Sequence, residues 1–268
     1  MKEKNYFYKF NYKIKKYSLK KLNKNTFKIA KNYFIIHDLI ENETNLLYDF
    51  YNILNKFEIL EEKVYYIPSI FEYINQNKIK FNKDEINFLY SFYQFILDKF
   101  FGEFNIQIGL CYGKNKFVNS LEFHRSNEII ISLTPQVLVL GDIRKIEILK
   151  QNNETNSFFK YDYKNLTSFF IPPFKIVELY STTLHFAPIS LKDENFYSII
   201  ILPEKTNLPL KEKNLNENKE NITTTKNNLN DLLFANNKLL FTHKDSPQYK
   251  LNATVGFHTK ERLKLIDL

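Results

Sequence analysis

The amino-acid sequence predicts a mainly β protein with a helix-containing N-terminal region, and three observations carry this prediction. Hydrophobic residues recur at helical spacing up to Gly102, and the spacing then changes to the alternation that is typical of strands. Many short strand-like runs then follow one another without a helix between them. Gly141 and the Pro172-Pro173 pair separate several of these runs. Together the patterns predict an antiparallel sandwich or a small barrel.

The clearest helix is predicted to begin after Asn82, a good N-cap residue with Glu85 three residues later as its capping-box partner. Gly102 is well placed to end the helix. One face of the helix is aromatic and aliphatic, so it must pack against the rest of the chain. The residues of that face are Phe88, Leu89, Phe92, Phe95, Ile96 and Phe100.

We therefore expect residues 1–100 to form a helix-rich region that packs on the outside of a β-structure formed by residues 101–268. In the second region, Ile106, Ile108 and Leu110 alternate with polar or small residues, as in a strand. Residues 204–230, rich in Lys, Asn and Glu, are predicted to be a long excursion that is mobile or weakly helical. The other predicted strands are Leu121–His124, Glu128–Leu133, Gln136–Leu140, Ser168–Ile171, Ile176–Tyr180, Leu184–Pro188, Phe196–Leu202 and Leu239–His243.

Composition narrows the class of protein. The chain has 268 residues, 44% of them hydrophobic, which is enough for a large core and argues against disorder. A single cysteine, Cys111, excludes an internal disulfide and fits a reducing compartment. The N-terminus lacks the continuous apolar stretch of a signal peptide, and no apolar run approaches the length of a membrane span. We therefore expect a soluble, cytoplasmic protein.

The net charge of +8 is confined to the N-terminus, because residues 1–36 contain eleven Lys and one Glu. Tyr and Phe alternate with these lysines, as they would on a surface that binds single-stranded nucleic acid. A solvated amphipathic segment is the favoured interpretation, since charged runs usually face water and no nucleic-acid-binding motif accompanies this one. Nucleic acid is therefore not an expected partner.

Glu122, His124 and Glu128 are polar residues within apolar, strand-like sequence. Glu122 and His124 are two residues apart, so on a strand both side chains point to the same face. Glu128 follows an Arg-Ser-Asn segment that is suited to a turn. Mixed nitrogen and oxygen donors favour Mn, Fe, Ni or Zn rather than a thiolate site. The alternative interpretation is a surface-facing edge strand with a Glu–His pair and a solvated Glu128.

The pattern Glu122-x-His124-x-x-x-Glu128, with Gly141 thirteen residues later, resembles the first motif of the cupin superfamily. That motif begins with His-x-His, and in this sequence Glu122 stands in place of the first histidine. Segments across the chain resemble an uncharacterised bacterial family of cupin-like proteins, a domain of unknown function. The Glu-x-His and Leu-His-x-x-Pro segments are similar, more distantly, to ureidoglycolate lyase. The resemblance implies a cupin-like antiparallel β-barrel (a double-stranded β-helix). The segments are Gln107–Asn115, Leu121–His124, Val177–Tyr180, Thr183–Pro188 and Leu233–Lys238.

The second cupin motif, Pro-x-Gly-x-x-His, is not matched at Pro172, where a phenylalanine stands at the glycine position and no histidine follows. Either Glu178 or His185 could complete the site, and we favour His185 as a ligand and Glu178 as a catalytic carboxylate. The two residues are seven apart and face opposite sides of an unbroken strand. Both would reach one cavity only if the chain bends near residues 181–183. His37, in an apolar stretch that reads as helical, is expected to be structural.

These residues predict a metal-dependent enzyme that isomerises or epimerises a small hydroxylated substrate, such as a sugar or sugar acid. Glu178 or Glu128 would transfer the proton. The predicted metal ligands are Glu122, His124, Glu128 and His185. The predicted substrate-binding residues are Gln107, Asn115 and Arg125.

Two other functions stay open from the sequence. One is a carbon–nitrogen lyase acting on a ureido- or hydroxy-acid, as the similarity to ureidoglycolate lyase implies. The other is a non-catalytic, sugar-binding or regulatory cupin. Cupins commonly pair through their sheets, and the resemblance implies a homodimer here in the same way.

Overall fold

The structure is a computed structural model, and it describes residues 9–10, 31–37, 41–54, 64–148, 159–191, 194–210, 229–251, 254–256 and 263–264. The helices in these ranges are α1 (Glu41–Ile53), α2 (Ile70–Asn77) and α3 (Lys83–Ile96). The strands up to residue 150 are β1 (Lys9–Phe10), β2 (Phe34–His37), β3 (Tyr65–Ile67), β4 (Ile106–Gly113), β5 (Phe117–Val118), β6 (Ser120–His124), β7 (Glu128–Ser132), β8 (Gln136–Asp142) and β9 (Glu147–Ile148). The later strands are β10 (Phe159–Lys160), β11 (Thr167–Ile171), β12 (Lys175–Leu179), β13 (Thr183–Leu184), β14 (Ile189–Ser190), β15 (Phe196–Pro203), β16 (Leu233–Ala235), β17 (Lys238–Thr242), β18 (Thr254–Val255) and β19 (Leu263–Lys264).

Helix α3 begins as its sequence predicts. The Asn82 side chain accepts a hydrogen bond from the Glu85 backbone N–H, and the Glu85 carboxylate accepts one from the Asn82 N–H, both at 2.9 Å. This capping box satisfies two backbone donors that the first turn would otherwise leave unpaired. A π-helical turn (Leu97–Phe101) continues α3, and Gly102 ends it in the left-handed conformation with φ 52°.

Six antiparallel strands form the sheet next to the helices, in the order β2-β12-β7-β15-β4-β3. Its outer face is apolar and packs against α1, α2 and α3. Phe92, from the predicted aromatic face of α3, is fully buried there, with its ring centroid 4.6 Å from that of Phe50 on α1. The apolar face of α3 and the outer face of the sheet thus share one buried cluster.

A second layer of strands faces the inner side of the six-stranded sheet. It consists of a five-stranded sheet (β1-β11-β8-β13, with β14 also on β8) and a four-stranded sheet (β16-β17-β18, with β6 also on β17). Backbone hydrogen bonds in both directions between Glu122 and His185 join the two sheets, with N···O distances of 2.7 and 2.9 Å. This bridge fixes the positions of two of the predicted metal ligands relative to each other.

The predicted class, mainly β with antiparallel sheets and few helices, is confirmed. Of the strand pairs that the structure describes, β17–β18 is parallel and the rest are antiparallel. The predicted closed barrel is not found in the described ranges, where the strands form facing sheets with an apolar core between them. No helix in these ranges is long and apolar enough to cross a membrane.

Two local predictions were wrong, and two lie largely outside the described residues. The predicted strand Leu184–Pro188 is limited to Thr183–Leu184, because the chain leaves β8 at His185 and bridges to Glu122 instead. His37 ends strand β2 rather than lying in a helix, because it pairs with Ile176 of β12. Most of the Lys-rich N-terminus, and residues 211–228 of the predicted excursion, are outside the described ranges. The division of the chain at residue 100 stays a prediction.

Candidate metal centre

The candidate centre lies on the inner side of the second layer, where strand β6 brings two donors to one face. Glu122 and His124 point inward, while Leu121 and Phe123 point outward into the apolar cluster beneath the strand. The alternation of β6 therefore places the pair as the Glu-x-His spacing predicts. This face is enclosed rather than exposed, since the His124 side chain is 1% exposed and that of Glu122 is 13% exposed.

Glu128 and His185 come to the same point from two other directions. His185 lies directly after β13 and is held there by its bridge to Glu122, whereas Glu128 is the first residue of β7 in the opposing sheet. The Glu128 Oε2 atom lies 3.0 Å from His185 Nε2 and 3.1 Å from His124 Nε2. The Glu122 Oε1 atom lies 3.8 Å and 3.9 Å from the same two nitrogens.

Three of these residues, Glu122, His124 and His185, offer ligand atoms that all lie within 4.8 Å of one another. The structure therefore brings together all four residues that the sequence proposed as ligands. Mixed imidazole and carboxylate donors suit Mn, Fe, Ni or Zn, so the donor set does not select one of these metals.

Both imidazole rings are fixed in the tautomer that a metal ligand requires. His124 Nδ1 lies 3.1 Å from the Asn237 carbonyl oxygen, and His185 Nδ1 lies 2.9 Å from the Thr183 carbonyl oxygen. A carbonyl only accepts, so each Nδ1 must carry the hydrogen and donate it. In a neutral ring the Nε2 lone pair is then directed into the cluster, as is usual for metal-binding histidines.

A buried atom without a hydrogen bond also supports a cation in this place. His124 Nε2 is buried and makes no hydrogen bond with the described residues, although a carboxylate oxygen lies 3.1 Å away. Buried polar atoms are rarely left in this state. A divalent cation among these donors would satisfy the nitrogen and offset the negative charge of the carboxylates, so the residues present fit a metal ion.

The charges within the cluster are strongly coupled. Burial alone would lower the pKa of His185, but the negative charge and hydrogen bond of Glu128 outweigh burial and raise it to about 9. Burial would conversely raise the pKa of Glu128, but the charge and hydrogen bond of His185, with the His124 imidazole also close by, hold it well below its usual range. Without a metal, His185 and Glu128 therefore form a buried ion pair.

Metal affinity is expected to rise with pH because the proton and the metal compete for His185 Nε2. Since the pKa of His185 is about 9, the ring is protonated at neutral pH, and binding must release that proton. The apparent affinity should increase by up to about tenfold per pH unit below pH 9 and then level off. Titration against a competing chelator from pH 6 to 9.5 measures the slope. An affinity that does not change with pH would contradict this coupling.

The cluster lines a cavity of about 880 Å³ between the two layers of strands. This volume suits a small molecule of the size that enzymes commonly bind. Most of the wall surface is apolar. Two functional side chains on this wall, Tyr66 and Lys238, were missed at the level of sequence.

Tyr66 enters the cavity wall from the edge strand β3, where it lies opposite Cys111. Its hydroxyl oxygen accepts a hydrogen bond of 3.0 Å from Asn207 Nδ2, so the hydroxyl hydrogen remains available to another acceptor. Tyr66 is 37% exposed, but desolvation of its hydroxyl end, with the charges of Glu128 and Glu122, raises the pKa of Tyr66 well above its usual range. Tyr66 is therefore a neutral proton donor at physiological pH.

Lys238 is paired with His124 in the register of β17 and β6, and its ammonium lies against Glu122 Oε2. Its side chain is 16% exposed, so the charge is largely enclosed. The lysine offsets the carboxylate at the edge of the cluster. No sequence pattern indicated this role, because Lys238 follows a turn and looks like an ordinary solvated residue.

Glu178 is not brought to the cluster. In the register of β12 and β7, Leu179 lies opposite Glu128 and Glu178 lies opposite Ile129. Because neighbouring residues of a strand face opposite sides, Glu178 faces the helices while Glu128 faces the cavity. Its carboxylate instead accepts hydrogen bonds from His37 Nε2 at 2.8 Å and Asn127 Nδ2 at 2.7 Å.

The residues that the sequence proposed for substrate binding are placed less favourably. Gln107 donates to the Thr206 carbonyl, and Arg125 bonds with Asn230; neither is among the residues that line the cavity. Asn115 does line the cavity. However, its amide hydrogens are donated to the Ala187 and Pro188 carbonyls and its side-chain oxygen accepts from the Phe117 N–H, so its side chain fixes a loop.

Comparison with known protein families assigns the chain to one of them. The model of a domain of unknown function, DUF4867, matches residues 48–261 of the 268-residue sequence. The chain belongs to the DUF4867 family. The match covers α2, α3 and every strand from β3 to β18, and it includes all four residues of the candidate centre. A comparison with curated proteins finds no match. The resemblance to a domain of unknown function is confirmed. The DUF4867 match does not show that the chain is a cupin.

Proposed function

We propose that this protein is a metal-dependent, cupin-type enzyme that isomerises or epimerises a small hydroxylated substrate, a sugar or sugar acid. One observation carries the proposal: two buried imidazoles, each locked with its Nε2 facing inward, meet Glu122 and Glu128 on the wall of a substrate-sized cavity. The two facing layers of antiparallel strands are compatible with a cupin sandwich. Glu122, His124 and His185 would hold the ion, and Glu128 offers a further oxygen donor beside the same two nitrogens.

A divalent ion held there supplies Lewis acidity, which makes the hydrogen next to a substrate carbonyl easier to remove. Tyr66 donates a hydrogen bond to the substrate oxygen on which negative charge develops, because its high pKa keeps the hydroxyl protonated. The Asn207 amide orients the Tyr66 oxygen from the opposite side. Glu128 would accept the substrate proton, since it lines the cavity whereas Glu178 faces the helices. The apolar wall keeps water away from the reacting carbon.

The direct test of this proposal is hydrogen exchange by the metal-loaded protein. Samples loaded separately with Mn²⁺, Fe²⁺, Ni²⁺ or Zn²⁺ are incubated in D₂O with aldoses, ketoses and their sugar acids, and NMR follows deuterium entry next to the carbonyl. Exchange together with formation of an isomer or epimer is the expected result. A protein that binds metal but exchanges no substrate in this panel would contradict the enzymatic part of the proposal.

Tyr66→Phe is expected to lower kcat by about 100-fold and to leave the metal content unchanged, because only the proton donor is removed. Tyr65→Phe is the matched control. The Tyr65 ring stacks on Tyr112 on the helix side of the sheet, with the ring centroids 5.4 Å apart. Unchanged turnover in Tyr66→Phe would show that the phenol does not stabilise the negative charge on the substrate oxygen.

A carbon–nitrogen lyase is the second candidate, because the two segments that resemble ureidoglycolate lyase are joined in space. The bridge between Glu122 and His185 connects the Glu-x-His segment to the Leu-His-x-x-Pro segment. Incubation of the metal-loaded protein with ureidoglycolate separates the two candidates. Release of urea without exchange on sugars supports the lyase, and the opposite pattern supports the isomerase or epimerase.

A further inference from the structure

We infer that the cavity binds an anionic substrate, a small molecule whose carboxylate or phosphate group is attracted by Lys114, Lys116 and Lys238. This inference rests on the proposed function, because it names the substrate class of the same site. Three observations support it: the balance of charges on the cavity wall, the rigidity of the loop that carries two of the lysines, and the position of the third lysine beside the metal cluster.

The charges on the described part of the cavity wall are unevenly distributed. Three lysines line the cavity, whereas the carboxylates among the described lining residues are Glu122 and Glu128, both of which belong to the candidate centre. The three lysines and two carboxylates alone give this wall an excess of one positive charge, and a divalent cation would raise the excess to three. A positive potential in a concave, largely apolar cavity attracts anions and disfavours cations.

The loop between β4 and β5, which carries Lys114 and Lys116, is held firmly in place. Asn115 lies between the two lysines and is 4% exposed. Its amide donates to the carbonyls of Ala187 and Pro188, both at 3.1 Å, and its backbone N–H donates to Ser190 Oγ at 2.9 Å. These bonds anchor the loop to the segment that follows His185. The lysines therefore extend from a fixed backbone, which reduces the entropy lost when a ligand is bound.

Lys238 places the third charge deep in the cavity. The strand register sets it opposite His124, and its ammonium lies against Glu122. A substrate acid group near the candidate centre would therefore have Lys238 beside the metal cluster and the two lysines of the β4–β5 loop at the same cavity. Each lysine carries a compact ammonium charge on a long, flexible side chain. It lacks the planar geometry of the arginine guanidinium, so it suits carboxylates and phosphates alike.

The remaining wall sets limits on the rest of the substrate. Aromatic and proline rings line it, and they suit the apolar face of a small ring or a short carbon chain better than a second charged group. These residues are Phe117, Phe186, Pro188, Phe234 and Pro247. A single acid group on an otherwise uncharged, hydroxylated molecule is the ligand that this distribution favours.

The test is a binding measurement with three related probes. Isothermal titration calorimetry compares glucuronate, glucose 6-phosphate and neutral glucose, with both the metal-free and the Mn²⁺-loaded chain. At least one anion is expected to bind roughly tenfold more tightly than glucose at low ionic strength. The advantage should shrink as salt is added, because salt screens charges that solvent can reach. The tighter anion distinguishes a sugar acid from a sugar phosphate.

The double variant Lys114→Gln/Lys116→Gln assigns the effect to the loop. We expect anion binding to weaken roughly three- to tenfold, while the affinity for glucose and the metal content stay unchanged. Lys164→Gln, which removes an exposed lysine in the turn after β10, is the matched control and should change neither affinity. Lys238 is left intact because its ammonium also contacts Glu122.

The results separate this inference from the proposed function. Equal affinity for glucose and both anions, or an unchanged anion affinity in the double variant, would overturn the inference even if metal binds and a neutral sugar is isomerised. Anion binding that depends on the two loop lysines in a protein that takes up no metal would support the inference and contradict the metal-dependent function.

Discussion

His185→Ala is expected to weaken divalent metal binding by at least about 100-fold, so that the purified variant contains no stoichiometric metal. The substitution removes one of the two nitrogen donors and leaves Glu128 opposite an empty space. His185 does not reach the cluster by chance, because the bridge to Glu122 and the hydrogen bond to the Thr183 carbonyl fix both its position and its tautomer. His124→Ala should have the same effect, since the two imidazoles act as one pair of donors.

His37→Ala is the matched control. His37 is also a histidine beside a glutamate, at 2.8 Å, but it lies on the helix side of the sheet, stacked edge-on against Phe100. It should leave the metal content at the wild-type level. Metal analysis by mass spectrometry, together with circular dichroism to show that each variant is folded, gives the comparison. Full metal content in a folded His185→Ala protein would remove this residue from the centre.

Phe92→Ala is expected to lower the free energy of unfolding by about 3–5 kcal/mol. Phe92 is 0% exposed at the point where α1, α3 and the outer face of the six-stranded sheet meet, and its ring contacts that of Phe50. Truncation removes the aromatic ring and leaves a cavity that the surrounding helices and strands fill only in part. Urea denaturation followed by circular dichroism measures the loss.

Tyr90→Ala on the same helix is the control for Phe92→Ala. Its side chain is 66% exposed, so its removal should cost less than about 1 kcal/mol. Similar losses for the two variants would show that the aromatic face of α3 is not anchored on the sheet. Other contacts would then have to stabilise the outer face of the six-stranded sheet, whose inner face carries Glu128.

The periodicity of the sequence was sufficient to place the local elements of this site. The two-residue spacing of Glu122 and His124 predicted a shared face, and the structure gives them one on β6. The Asn82 capping box was equally predictable, because the bonds that define it involve residues within one turn. Both predictions depend only on residues that are close in the chain.

Features that depend on strand register could not be predicted in this way. Glu178 lies on a strand whose two faces are equally apolar, so nothing local shows which face meets the cavity. The pairing of Leu179 with Glu128 decides it, and that pairing is a tertiary contact. Tyr66 was missed for a similar reason: it comes from a three-residue edge strand far from the other site residues in the sequence. Its hydroxyl accepts a hydrogen bond from Asn207, another distant residue.

Closure of the strands into the predicted barrel, which is not found in the described ranges, is a further feature of this kind. Alternating strands are equally compatible with a closed barrel and with facing sheets, because closure depends on strand tilt and stagger rather than on which residues alternate. In the described ranges the two layers enclose an apolar core on one side and the cavity on the other. The site needs only this facing arrangement, so the position of the ligands does not depend on closure.

Metal content of the wild-type chain tests the account most directly. The full-length protein is purified without chelators, analysed for Mn, Fe, Ni and Zn, and then stripped and titrated with each ion. We predict about one divalent ion per chain on purification, and recovery of the same stoichiometry on titration. A folded protein that contains no metal after gentle purification and takes up none of the four ions would contradict the proposed centre.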